Sequence, residues 1–449
     1  MCFPESQRYL KLNVSFVAFR LTAKFALVCI GRNLNKFVEH PFGLRKINSQ
    51  DFRIATRRTS REINRRILLN LVREHQPVSR ADLARRMQLA RGGVSLLVNE
   101  LIAEGLGYEG AIGEAARGRK PTFLHVRTHD RMVIAADVRF SRTDLMLSDF
   151  SGREIALETF GTVFSPREFV RNLAGRVRQL LKSNHSAINC EGMGLVVPGM
   201  VDHRSGRILN APTLNWLNVD LREALTSATG LPVQVENAAK ACVLSQMWLA
   251  SDELASNHDF VFVTVSDGVG VGIVVNGELF RGHENMAGEF GHIPLSMDGP
   301  RCLCGNFGCW EAYISNIATL SRYLGRDASK IHPRLILETD SDRLTVTDVI
   351  GRARQGDAKA LTSIQSTARY LGLGLANVVN GLNPARVYLA GEITAAWDLI
   401  EVTVRDALAE RALTEALAAT QVHVASSVER LRGAAALIAA PTFAAIRVA

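Results

Sequence analysis

The chain is expected to be an α/β protein led by a small helical module, on three observations. Residues 60–106 repeat apolar side chains at three- and four-residue spacing. From Arg131 onward, short β-type runs alternate with helical stretches. The charge is unevenly divided: residues 1–50 carry eight Lys/Arg against two acids, 51–126 carry fourteen against eight, and 127–449 carry 31 against 34. Spacing sets the element type, alternation sets the layer architecture, and a basic front on a mildly acidic body suggests a front that meets a polyanion.

With 449 residues and 47% apolar side chains, the chain is too long for one ordinary core. The expected division is an extension over 1–50, a helical module over 51–126 and an α/β body over 127–449. The stretch Val14–Ile30 is the best candidate for a membrane span, but Arg20 and Lys24 interrupt it and it is short of the roughly 20 apolar residues required. No small-residue cleavage site marks it as a signal peptide. No membrane insertion is expected. The seven cysteines are odd in number, and four of them (Cys2, Cys29, Cys190, Cys242) are far apart, which argues against a secreted disulfide framework and for the cytoplasm.

In the helical module, Ile63, Ile67, Leu68, Leu71 and Val72 define one apolar face of a first helix, which Pro77 ends. Ser79 is placed to cap a second helix, with Asp82 in its first turn. A third helix is expected over Arg91–Glu104, with Val94, Leu97, Val98, Leu101 and Ile102 inward. This order makes a helix-turn-helix whose last helix would enter the major groove of double-stranded DNA. Its candidate DNA contacts are Ser79, Arg80, Arg91, Gly92, Gly93 and Ser95, Arg91 being a rigid multi-donor fork. The following Gly-rich hairpin forms a wing whose tip carries Arg117, Arg119 and Lys120, suited to a narrow electronegative groove.

In the body, RMVIAADVRFSRTDLMLSDFSG reads as two strands joined by a tight turn and CEGMGLVVPGMVD as a buried strand entering a glycine turn. DFVFVTVSDGVGVGIVVNGELF reads as a hairpin with Gly268, Gly270 and Gly272 where backbone approaches something closely. The stretch HIPLSMDGPRCLCGNFGCWE (292–311) concentrates three of the thiols. Its spacing, His292-x9-Cys302-x-Cys304-x4-Cys309, supplies three sulfurs and an imidazole, the set a closed tetrahedral structural zinc requires.

These last residues resemble the signature of the ROK family of repressors, open reading frames and sugar kinases. Glu289-Phe290-Gly291-His292 and Cys302-x-Cys304-Gly305-x-x-Gly308-Cys309-x-Glu311 carry the resemblance, with VPGMVDHRSGRILNAPTLNW, AGEFGHIPL and GLANVVNGLNPARVYLAGEI in agreement. The resemblance runs from about residue 57 to the C-terminus and implies an N-terminal winged helix-turn-helix followed by an actin-like (ribonuclease H-like) two-lobed domain. It implies sugar contacts at Gly199, Asn237, Glu289, His292 and Glu311, with His292 serving both zinc and sugar.

The family's kinases carry Asp directly after the Asn of the segment matching VENAAKACVL, where it takes the proton from the attacking hydroxyl. This chain has Ala238. They also hold ATP phosphate with an Asp-x-Gly-Gly-Thr turn, where this chain reads Asp137-Val138-Arg139-Phe140-Ser141, and Glu392 stands where glycine is usual. Loss of a positioned base lowers a rate by about a hundred- to ten-thousand-fold. The expectation is a non-enzymatic, sugar-responsive transcriptional regulator, most simply a repressor, binding an operator as a homodimer or homotetramer. A sugar kinase with a DNA-binding appendage is the alternative. A regulator answering to a partner protein through Phe307 and Trp310 is a third reading, against which both aromatics are expected to pack the cysteine loop onto the body.

Overall fold

The computed structural model describes residues 56–112, 120–184, 189–249, 259–326, 344–426 and 428–444. The expected extension, the Val14–Ile30 stretch and the wing tip with Arg117 and Arg119 lie outside them. Among the described residues no helix is long and apolar enough to cross a membrane.

The helical module runs α1 (Arg57–His75), β1 (Val78–Ser79), α2 (Arg80–Met87), α3 (Arg91–Ala103), β2 (Gly107–Ile112) and β3 (Thr122–Val126), its strands forming an antiparallel sheet in the order β1-β3-β2. Ser79 caps α2 through a capping box, its hydroxyl accepting from the Asp82 N–H while the Asp82 carboxylate receives the Ser79 N–H. Leu68, Leu69 and Val72 of α1 meet Leu83 of α2 and Val94, Leu97, Val98 and Leu101 of α3. The inward face of α1 is rotated from the expected one. Ile67 is 46% exposed and Leu69, 2% exposed, takes its place. Ile102 is half-buried.

In the body two five-stranded sheets repeat one pattern. The first consists of β4 (Met132–Val138), β5 (Arg142–Asp149), β6 (Glu154–Gly161), β7 (Cys190–Val197) and β11 (Val233–Asn237), in the order β11-β7-β4-β5-β6. The second consists of β12 (Phe260–Val265), β13 (Val269–Val275), β14 (Glu278–Leu279), β15 (Arg386–Gly391) and β16 (Gln421–Val424), in the order β14-β13-β12-β15-β16. In each, the first three strands are antiparallel neighbours and the last two join by parallel pairing. A small antiparallel sheet of β8 (Met200–Val201), β9 (Ile208–Ala211) and β10 (Trp216–Val219) follows the β7 turn.

Helices α4 (Pro166–Ser183) and α5 (Leu221–Thr229) accompany the first sheet, α6 (Ala238–Leu249) runs from the first sheet to pack on β12 and β13, and α7 (Glu311–Ile314) to α12 (Thr414–Ala419) accompany the second. Between these last two run α8 (Asn316–Leu324), α9 (Val346–Arg354), α10 (Ala358–Leu382) and α11 (Trp397–Ala409). The last helix, α13 (Glu429–Phe443), returns to the first sheet: its alanines pack with Val133, Ala135 and Val196 in a core that continues into the helical module. At its far end Arg66 donates to the carbonyls of Pro441 (2.6 Å) and Ala444 (3.0 Å), and Asn70 donates to that of Phe443 (2.7 Å). Such donors satisfy carbonyls that a helix C-terminus leaves unpaired. Residues Ser60–Ile446 form one compact unit.

Candidate functional site

A cleft of about 850 Å3, open solvent included, lies where β7, the start of α6, the β12–β13 turn and the cysteine loop converge. Its lining includes Gly199, Asn237, Glu289, His292 and Glu311, so the structure brings all five expected sugar contacts to one place. Gly199 has φ +90°, and a Cβ there would stand 2.2 Å from the Asn210 carbonyl, so the turn after β7 requires glycine. Asn237 holds that turn by donating to the Gly199 carbonyl (2.6 Å) and caps α6 by accepting from the Ala239 N–H (2.9 Å). The Glu311 carboxylate accepts from the Val269 N–H (2.9 Å), and burial pushes its pKa up. Glu289 is half-exposed, 3.8 Å from His292 Nε2.

The other face of His292 meets the thiols. Cys302 Sγ lies 3.7 Å from His292 Nδ1, and the Cys304 and Cys309 sulfurs are 3.7 Å apart. The four ligand atoms all fall within 4.8 Å of one another, a set that could hold a metal ion. Sulfurs about 2.3 Å from a tetrahedral ion stand about 3.8 Å apart, so the observed spacing fits. Burial pushes the Cys309 thiol up to about 11 and Cys302 higher still; a divalent cation among them would reverse that sign and hold thiolates. The curl of the loop depends on Gly308, at φ +68°, where a Cβ would lie 1.6 Å from the Ser296 carbonyl. Trp310 is 1% exposed and donates to the Tyr370 carbonyl at 2.9 Å, packing the loop as expected. Phe307, 57% exposed, does not pack, a correction that follows from its place at the outer tip of the loop.

Beside this cleft is a second one lined by Arg139, Arg142, Glu392, Arg430 and the Ala390–Gly391 turn. Here charged side chains have tied themselves together. Arg139 donates to Asp137 (2.9 Å) and to Glu392 (2.6 Å), Arg430 donates twice to Asp137 (2.9 and 2.6 Å), and Asn316 donates to Glu392 (3.0 Å). Burial alone would raise the Asp137 carboxyl, but the two guanidiniums outweigh it and the net shift is downward. Arg139 therefore joins the first sheet to the second where the β4–β5 turn meets the end of β15.

The expected DNA contacts divide. Arg91, Gly92 and Gly93 are exposed at the start of α3, and nothing lies within 4 Å of a Cβ built at either glycine. Lys120 is exposed and Ser95 half-buried. Two expected contacts are corrected. Ser79 is 5% exposed with its hydroxyl spent on Asp82. Arg80 is turned inward, donating to Glu109 (2.9 Å), the Ser95 carbonyl (3.1 Å) and Asn99 (3.0 Å), so it braces α3 against the hairpin. Missed from the sequence were Arg430, which reaches Asp137 from 293 residues away, and Lys240 in the wall of the main cleft. No local pattern announces Arg430; a lone cation in the apolar start of α6 was a signal for Lys240.

Two five-stranded sheets of one repeated pattern define a mixed α/β protein with actin-like sheets. The chain belongs to the ROK family, whose model matches residues 145–440. It is 28% identical over 368 residues to a xylose repressor of Bacillus subtilis (strain 168), covering 81% of this chain and 90% of that one. Among solved structures it is similar to a ROK family transcriptional regulator, a homolog of the E. coli MLC protein (TM-score 0.71, 24% identity, 86% of this chain and 97% of that one). It is also similar to a ROK family glucokinase from Streptomyces griseus in complex with glucose and AMPPNP (TM-score 0.58, 26% identity), which corresponds to 68% of this chain and is itself covered to 99%.

Proposed function

We propose that the protein is a sugar-responsive, DNA-binding transcriptional regulator that represses carbohydrate uptake and catabolism genes. Two α1–β3 modules, in a homodimer or homotetramer, would present α3 and the wing to a palindromic operator. Arg91, Gly92, Gly93, Ser95 and Lys120 are the proposed contacts on the described surface, with Arg117 and Arg119 at the wing tip. A sugar would bind Gly199, Asn237, Glu289, His292 and Glu311, whose carboxylates and amides suit vicinal hydroxyls and would leave buried polar groups unpaired by a wrong stereoisomer. The metal at His292, Cys302, Cys304 and Cys309 is read as structural zinc, which fixes the His292 tautomer with Nδ1 inward and Nε2 towards the cleft.

The observation that carries this reading is the exposed N-terminus of α3 together with Ala238 and Arg139, which stand where the family's kinases place their base and phosphate turn. Ala238 offers no proton acceptor. The turn that would need close backbone approach to phosphate carries Arg139, locked onto Asp137 and Glu392. A repressor among the relatives supports it, and the glucokinase corresponds to only 68% of this chain. The test is a gel shift on DNA flanking the protein's own gene, repeated as salt rises, alongside a coupled ATP-consumption assay over a panel of hexoses. A sequence-specific complex that outlasts non-specific binding, with no ATP turnover, is the expected outcome. Clear turnover would instead make the protein an ATP-dependent sugar kinase with a DNA-binding appendage.

A further inference from the structure

Lys240 is the third residue of α6, is 4% exposed, and lines the main cleft. Side chains on a helix tilt towards its N-terminus, so a lysine in the first turn carries its ammonium back towards the end where the backbone N–H groups point. That end is already the positive pole of the helix dipole, and α6 has no acidic residue in its first turn to offset it. Lys240 makes neither a hydrogen bond nor an ion pair among the described residues.

Glu236 and Glu289 attract Lys240 through space, but neither makes a hydrogen bond or ion pair with it. Glu236 is occupied by Arg281 (2.5 Å), the Asn237 N–H (2.9 Å), Asn285 (3.4 Å) and His203 (3.6 Å). Glu289 faces His292. A buried cation without a direct hydrogen-bond partner against a positive helix end is unfavourable in the unliganded protein, and burial lowers the Lys240 pKa more than the attraction of Glu236 and Glu289 raises it. The neighbouring position, where the family's kinases would add a negative carboxylate, is the methyl group of Ala238.

We propose that the effector is an anionic sugar, a sugar acid or a sugar phosphate, whose negative group sits at the N-terminus of α6 against Lys240. This inference rests on the sensing role proposed above and narrows its ligand. The anion takes hydrogen bonds from the ammonium and from the first-turn backbone, as anions do at helix N-termini. The hydroxyls then fall to Glu289, His292 and Glu311. Ala238 leaves that approach open, where an aspartate would repel the ligand.

The test uses the full-length protein and the common aldopentoses and aldohexoses, each as the neutral sugar, its aldonate and uronate, and its terminal phosphate ester. Binding is followed by calorimetry and by release from the operator fragment. At least one acidic member should bind tighter than its neutral parent, and Lys240→Met should weaken that member by roughly ten- to a hundredfold. Lys240→Arg should retain most of the affinity, and operator binding by the unliganded variants reports that they are folded. The carboxylate and phosphate arms identify which anion is meant. Tight binding confined to neutral sugars, or acidic-sugar binding indifferent to Lys240→Met, overturns the anionic effector while leaving the sensing role intact. If no member of either kind binds, the sensing role fails and this inference goes with it.

Discussion

Glu236 shows how single side chains are committed before any ligand arrives. Burial would raise its carboxyl, but His203 and Arg281 outweigh burial and hold it at about 2, against about 4.5 for an ordinary glutamate. A folded-state value below the unfolded one contributes stability that is complete above about 4.5 and is lost as pH falls through about 2. A shift of that size corresponds to about 3 kcal/mol. Denaturant titrations between pH 5 and 2 should therefore show stability falling in the wild type, with a shallower fall in Glu236→Gln. Cys304 makes a parallel case for the metal. Replacing it by serine should remove about one zinc per chain by elemental analysis and weaken sugar binding by roughly ten- to a hundredfold, because His292 loses the ion that orients it. Metal content equal to that of the wild type would sink the four-ligand assignment.

Among the elements, α2 and α3 show capping and exposure serving separate ends. The Ser79–Asp82 capping box starts α2, and Asp82→Ala is expected to destabilise the protein by about 1 kcal/mol in thermal melts. Arg91, exposed at the start of α3, makes no side-chain hydrogen bond or ion pair among the described residues. Arg91→Ala should therefore leave the melting temperature unchanged and weaken operator binding by about 1–3 kcal/mol in a gel-shift titration. Arg80→Ala, by contrast, should lower both, since its guanidinium ties α3 to the hairpin.

Across the whole molecule α13 is the connecting member. At its start Arg430 grips Asp137 beside the cleft, and at its end its carbonyls are held by Arg66 and Asn70 of α1. A helix of 15 residues spans about 22 Å, so a tilt at the cleft becomes a displacement at the first DNA-side helix. Coupling of this kind requires that the ligand favour one lobe arrangement over the other. The double change Arg66→Ala with Asn70→Ala should leave sugar affinity near that of the wild type while blunting sugar-induced operator release, read by competition on the same DNA fragment. Equal release in both proteins would remove α13 from the route.

Local chemistry was readable without coordinates: the capped α2, the helix α3 with its exposed start, the strand pairs around Asp137 and Gly268, and the His-Cys loop all arise within a few dozen residues, where periodicity, caps and ligand spacing act directly. The gathering of Gly199, Asn237, Glu289, His292 and Glu311 into one cleft was legible too, through a family resemblance concentrated at the loop. What folding alone settled were the partnerships between distant positions. Arg80 spent its charge on α3 and on Glu109 of the hairpin, Ile67 turned outward and Leu69 inward, Arg139 and Arg430 closed on Asp137 with Arg139 reaching Glu392, and Lys240 was left in the cleft wall with no hydrogen bond or ion pair among the described residues. Spacing along a chain says which groups share a helix face or a metal. Whether a charge meets its opposite depends on which surfaces are pressed together, and that follows from how the two sheets and the returning α13 pack into their separate cores.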